Sequence, residues 1–141
     1  MATVQSRDGT AVAFERSGEG PPIILIDGAL CSRASGPSRP LAAELSRRFT
    51  VYTYDRRGRG DSSDTAPYAV PREVEDIEAL IEEAGGSVHL CGISSGAALA
   101  LDAAQRGLGV RSLALYEPPF IVDDSRPPVP ARLRDPPRGS P

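Results

Sequence analysis

Apolar positions along this chain fall into two rhythms, and their alternation predicts the fold class. Residues 3–5 and 11–16 flank Asp8-Gly9, a pair that supplies the positive backbone angles of a tight turn, so they read as an antiparallel hairpin. Pro22-Ile23-Ile24-Leu25-Ile26 is apolar without alternation, the pattern of a strand covered on both faces, which parallel sheets produce. Crossover helices must then follow. The first is expected over 40–48, with Ser38 as its cap and Leu41 and Leu45 on one face. Val51-Tyr52-Thr53-Tyr54 reads as a strand that runs into a glycine-punctuated turn over 55–62. The clearest helix spans 70–84: Val70, Val74, Ile77, Leu80, Ile81 and Ala84 form one stripe, Pro71 suits the first turn and Gly85 ends it. Residues 88–91 read as a strand, 96–106 as a largely apolar helix and 112–116 as a last strand. Strand and helix therefore alternate three times before a final strand, which predicts an open, mostly parallel α/β sheet with right-handed crossovers.

Composition narrows the function classes. No run approaches the length of a membrane span, and the polar start of the chain does not resemble a signal peptide, so a cytoplasmic protein without a membrane partner is expected. All sixteen basic residues are arginine, scattered and outnumbered by nineteen acids, which implies no basic face for nucleic acid. Cys31 and Cys91 follow no metal spacing, and with one histidine they make no four-ligand zinc site; two small half-buried thiols are expected, with no metal and no cofactor. From Pro118 the character changes, and residues 126–141 carry six prolines and four arginines with almost no apolar periodicity. An extended tail is expected there, with a domain over 1–122 and the tail over 123–141.

The chemistry concentrates at Gly92-Ile93-Ser94-Ser95-Gly96, between a short apolar strand and an alanine-rich helix. A serine at the apex of a sharp strand-to-helix turn needs small residues two places to either side, which Gly92 and Gly96 supply. Taking Ser95 as the apex would put Ile93 and Ala97 at those places, a poorer fit. Four segments together, Ile26-Asp27-Gly28-Ala29, Tyr54-Asp55-Arg56-Arg57-Gly58-Arg59-Gly60-Asp61-Ser62, the Gly-x-Ser-x-Gly turn and Leu115-Tyr116-Glu117-Pro118-Pro119, resemble the α/β-hydrolase superfamily in its esterase-like and cofactor-free haloperoxidase-like branches. The resemblance covers about residues 1–122 and implies a three-layer α/β/α sandwich, of which this chain would hold the first six of eight strands.

The resemblance further implies a small-molecule substrate with an ester or related acyl bond, Ser94 as nucleophile, and the backbone N–H groups of Ala29 and Ser95 as the oxyanion-hole donors. Dehalogenase and epoxide-hydrolase chemistry is disfavoured, because those relatives use a carboxylate nucleophile. Where the family usually has His-Gly this chain has Asp27-Gly28, and an ionised Asp27 beside the hole would oppose a developing anion, so Asp27 is expected to be hydrogen-bonded elsewhere. The family's base is a histidine after the eighth strand. The one histidine here, His89, precedes Ser94 by five residues of extended chain, roughly 16 Å, too far to serve as base. Glu117 stands where some members place the triad acid; a loop carboxylate before a Pro-Pro turn is the other reading. A truncated or frame-shifted product, inactive or nearly so, is therefore expected, with a non-catalytic remnant or binding module as the alternative. Its strand 112–116 would be an unprotected apolar edge, giving self-association, marginal stability or both. A nucleotide-binding turn at Gly58-x-Gly60 is a further alternative, disfavoured by Asp61 and by Ser63 in place of a third glycine.

Overall fold

The computed structural model describes residues 2–29 and 31–118. The elements run Ala2–Gln5 (β1), Ala11–Ser17 (β2), Pro22–Ile26 (β3), Ser38–Leu45 (α1), Thr50–Tyr54 (β4), Val70–Glu83 (α2), Val88–Ile93 (β5), Ser95–Gln105 (α3) and Val110–Tyr116 (β6). They form one sheet in the order β1-β2-β4-β3-β5-β6. The β1–β2 hairpin turns on Gly9 at φ +88° and joins β4 antiparallel, whereas β4, β3, β5 and β6 are parallel to one another. The expected mostly parallel α/β sheet is present. The proposed tail over 123–141 and Pro119 lie outside the described residues.

Strand β3 explains why its sequence shows no alternation. Its odd and even positions face two different helical layers: Ile24 and Ile26 pack with Ile77, Leu80, Leu99 and Ala100, while Ile23 and Leu25 pack with Ala42, Leu41 and Leu45. Both faces are dry, so every position must be apolar. Burying each of Ile24, Leu25 and Ile26 contributes roughly 2 kcal/mol before chain entropy is counted. Helix α1 thus covers one face and α2 and α3 the other, the three layers expected.

Several boundaries differ from the expectation. Helix α1 starts at Ser38, two residues early, and Ser38 is not its cap: Pro37 holds that position with no side-chain capping bond, and the Ser38 hydroxyl donates to Asp27 Oδ1 at 2.5 Å. A buried carboxylate had the stronger claim on that donor. Strand β5 runs on to Ile93 and β6 begins at Val110, because the two pair along their length across an irregularity at Val88/His89. Among the described residues β6 has a strand neighbour on one side only, and Leu115 and Tyr116 are 38% and 62% exposed. No described helix is long and apolar enough to cross a membrane.

Candidate active site

Strand β5 ends at Ile93 and α3 begins at Ser95, so Ser94 makes the whole turn by itself. It does so at φ 55°, ψ −120°, a conformation that costs a side-chain-bearing residue about 1–3 kcal/mol, and its side chain is exposed to solvent. The turn is this tight because β5 and α3 touch. A Cβ on Gly92 would stand 2.6 Å from Ala97 Cα and closer still to the Gly96 carbonyl oxygen. One on Gly96 would stand 2.6 Å from Asp27 O and closer still to Ile26 O. The first glycine lets the helix fold back on its own strand; the second lets it approach the end of β3. The Ser94 N–H donates to Tyr116 O at 2.9 Å and Ser94 O accepts from Ala97 N–H at 2.9 Å, so both of its backbone polar groups are tied.

The end of β3 faces this turn. Gly28 is buried against the Ser94 side chain: a Cβ there would be 3.3 Å from Ser94 Cβ and 3.9 Å from Ser94 Oγ. Ala29 follows at the surface. Neither the Ala29 N–H nor the Ser95 N–H, at the first position of α3, has an acceptor among the described residues. Asp27 is hydrogen-bonded to Ser38. Burial pushes the Asp27 carboxyl above the usual carboxylate range, against the Ser38 hydrogen bond and the Arg56 charge that favour ionisation.

The 55–62 turn buttresses both sides. Arg56 is buried, donates through Nε and Nη2 to Glu73 at 2.7 Å each, and uses Nη1 for Ser95 Oγ at 2.9 Å and Asp27 O at 3.2 Å. Arg59 Nη1 donates to Gly28 O at 3.2 Å. Arg57 pairs with Asp76 at 2.6 and 2.9 Å and with Asp8 at 2.8 Å. Burial alone would raise the Glu73 carboxyl; the hydrogen bonds and charge of Arg56 outweigh it and hold Glu73 below its ordinary range. Sequence reasoning missed this network. Glu73 and Asp76 lie among the apolar positions of α2, one residue before Val74 and Ile77, and acids on a core-facing stripe opposite an Arg-Arg pair are the signal that could have exposed it.

The nucleotide-binding alternative for this turn has a concrete obstacle. The Asp55 carboxylate lies against Gly60 and accepts the Asp61 N–H at 2.9 Å and the Arg33 N–H at 2.7 Å, so a carboxylate already occupies the hollow where a phosphate would sit.

His89 sits on β5 with Nδ1 2.6 Å from Ser112 Oγ and its ring edge-on to Phe49, on the α1 side of the sheet. Glu117 immediately follows Tyr116, whose carbonyl holds the Ser94 N–H; its φ is +48° and its exposed carboxylate bonds to no described residue. The fold thus brings Ser94, Ser95, Gly28 and the Glu117 backbone together and leaves His89 behind. Cys31 and Cys91 are free and half-buried, and among the described residues no group of His, Cys, Asp or Glu side chains could hold a metal ion.

Comparison with known proteins points the same way. A family model described as "Alpha/beta hydrolase family" matches residues 28–141. Among solved structures, an alpha/beta hydrolase from Sphaerobacter thermophilus is 58% identical with a TM-score of 0.89, the match covering 94% of this chain and 51% of that one. A thermophilic esterase from Thermogutta terrifontis is 26% identical at a TM-score of 0.72, covering 81% and 44%. An epoxide hydrolase from Vigna radiata is 27% identical at 0.76, covering 85% and 40%. The chain spans about half the length of these relatives or less.

Proposed function

The chain belongs to the alpha/beta hydrolase family, and from that premise we propose that Ser94 is the nucleophile of a serine hydrolase acting on an ester or related acyl bond. The observation that carries this is the backbone of Ser94: strain of this kind persists only where the surroundings enforce it, and here it falls on an exposed serine packed against Gly28. In the proposed reaction Ser94 Oγ attacks the acyl carbon, its proton passes to a base, and the carbonyl electron pair moves onto oxygen. The Ala29 and Ser95 N–H groups receive that oxyanion, and removing one such donor typically costs about 3 kcal/mol in the transition state. Collapse expels the alcohol, and water then releases the acid. Esterases and an epoxide hydrolase both stand among the similar structures. A serine at the apex favours acyl transfer, since epoxide opening in the family relies on a carboxylate that hands its ester on to water.

Within these residues the base is the missing part. His89 is bonded to Ser112 on the α1 face of the sheet, within the strand that ends before Ser94, and it is the sole histidine of the sequence. Loss of the base from such a site lowers turnover on the order of a millionfold, so the chain by itself is a nucleophile and oxyanion hole with nearly no turnover. Glu117 is the proposed acid that would orient a histidine. A fluorophosphonate tests the assignment: prolonged incubation followed by peptide mapping should place the label on Ser94 and find none in Ser94→Ala. A wild type that stays unlabelled even with added imidazole standing in for the base favours the second reading, a non-catalytic remnant or binding module, for which the lack of a histidine beside Ser94 among the described residues is the specific support.

A further inference from the structure

The proposed oxyanion loop is gripped by its carbonyl oxygens, both times by arginines of the 55–62 turn. Arg56 Nη1 takes Asp27 O and Arg59 Nη1 takes Gly28 O, each at 3.2 Å. Among the described residues the one cis peptide is Ala66–Pro67, so the Gly28–Ala29 bond is trans. In a trans peptide the C=O of one residue and the N–H of the next point in opposite directions across a rigid plane. A donor that fixes Gly28 O therefore fixes the Ala29 N–H pointing away from it.

That plane needs an external hold. Gly28 has no side chain to restrict its ψ, and a Cβ there would stand 3.3 Å from Ser94 Cβ, a tight fit. Ala29 is exposed at the surface. The two arginines are not equivalent. Arg56 is buried and committed to Glu73 and Ser95. Arg59 is half-buried, forms no ion pair among the described residues, and its side chain's one hydrogen bond there is the one to Gly28 O.

We infer that Arg59 is a positioning residue for the oxyanion hole: by holding Gly28 O it aims the Ala29 N–H at the oxygen that becomes charged when Ser94 attacks. The inference rests on the assignment of Ser94 as nucleophile. It gives Arg59 a role at a place where the neighbouring arginines serve ion pairs.

Phenylboronic acid tests it without requiring turnover. Ser94 Oγ bonds to boron, the hydroxyl proton leaves to buffer, and the tetrahedral boronate carries the negative charge into the hole; boron-11 NMR reads the change from trigonal to tetrahedral boron. Arg59→Ala should weaken the adduct about tenfold, less than the hundredfold or more expected when a donor is deleted outright. The loss should be equal at low and at high salt, because it comes from peptide orientation and not from the guanidinium charge, whose pull on the boronate salt would weaken. The Ala29 amide resonance should shift in the free variant while the melting temperature stays put. An unchanged boronate affinity, a loss that vanishes at high salt, or an unmoved Ala29 amide overturns the role of Arg59 and leaves Ser94 standing. A wild type that forms no tetrahedral adduct overturns the nucleophile assignment, and this inference with it.

Discussion

Adding one methyl group at Gly96 sets two effects of opposite sign against each other. Gly96 is the second residue of α3, and in a helix Ala is favoured over Gly by up to about 1 kcal/mol. Propensity alone therefore makes Gly96→Ala neutral or stabilising. Packing says otherwise. The new Cβ would lie 2.6 Å from Asp27 O and 2.8 Å from Ile26 C, with Ile26 O nearer still, where ordinary contact begins at 3.4 Å. All three obstacles are backbone at the end of a buried strand, so no side chain can swing aside. α3 must withdraw from β3 by about an ångström or more, and overpacking of this kind costs typically about 1–3 kcal/mol. The clash wins, and a net loss of roughly 1–2 kcal/mol is expected, a fall in melting temperature on the order of 5–10 °C. The same withdrawal separates Ser94 from Gly28, so fluorophosphonate labelling should slow as well. Urea unfolding followed by circular dichroism, with labelling measured on the same samples, checks both. A variant as stable as the wild type or more so, labelled at the wild-type rate, would refute the close approach of α3 to β3 as the origin of the turn.

Three further perturbations follow from the same contacts. Glu73→Gln leaves the buried Arg56 guanidinium without its charge partner and should cost about 3–5 kcal/mol in urea, whereas Glu44→Gln, at an exposed pair with Arg47, should stay within about 0.5 kcal/mol; equal effects would sink the network's role. Asp27 has a pKa raised by burial, so its contribution to stability is fully present below the unfolded carboxylate value of about 4 and is lost as pH rises through the folded value. Asp27→Asn, which still accepts from Ser38, should therefore stabilise the protein near neutral pH and do nothing in acid; melting curves showing the reverse order would exclude this linkage. For β6 we propose that a second copy of the chain pairs along the edge that has no strand neighbour among the described residues, where Leu115 and Tyr116 are exposed. Sedimentation velocity should then show concentration-dependent association that Leu115→Lys reduces, and a wild type that stays monomeric across the range removes that interface.

The fold was legible where local pattern and tertiary context agree. Pro22 to Ile26 is apolar at both parities because helices cover both faces, and Asp8-Gly9 turns the hairpin because Gly9 adopts a positive φ. Gly92 and Gly96 could be read as steric necessities around Ser94 since their spacing alone implies a tight turn. Ser38 could not be read correctly: its capping preference is local, while its actual partner, Asp27, lies eleven residues back and at the buried end of a strand. Glu73 and Asp76 were hidden in the stripe of α2 for a similar reason, since a buried acid looks like a surface acid until its arginine is placed. The contact of Gly28 with Ser94 joins residues of two different strand ends, and no pattern along the chain encodes it.

Ser94 is raised for attack while His89 lies elsewhere, and turnover of a simple aryl ester tests both halves at once. Purified wild type and Ser94→Ala should hydrolyse p-nitrophenyl acetate at the same near-background rate in plain buffer, and added imidazole, standing in for the base, should accelerate the wild type beyond Ser94→Ala. Ordinary hydrolase turnover in plain buffer that disappears with the Ser94 hydroxyl, or an imidazole response identical in the two proteins, would contradict this reading of the two residues.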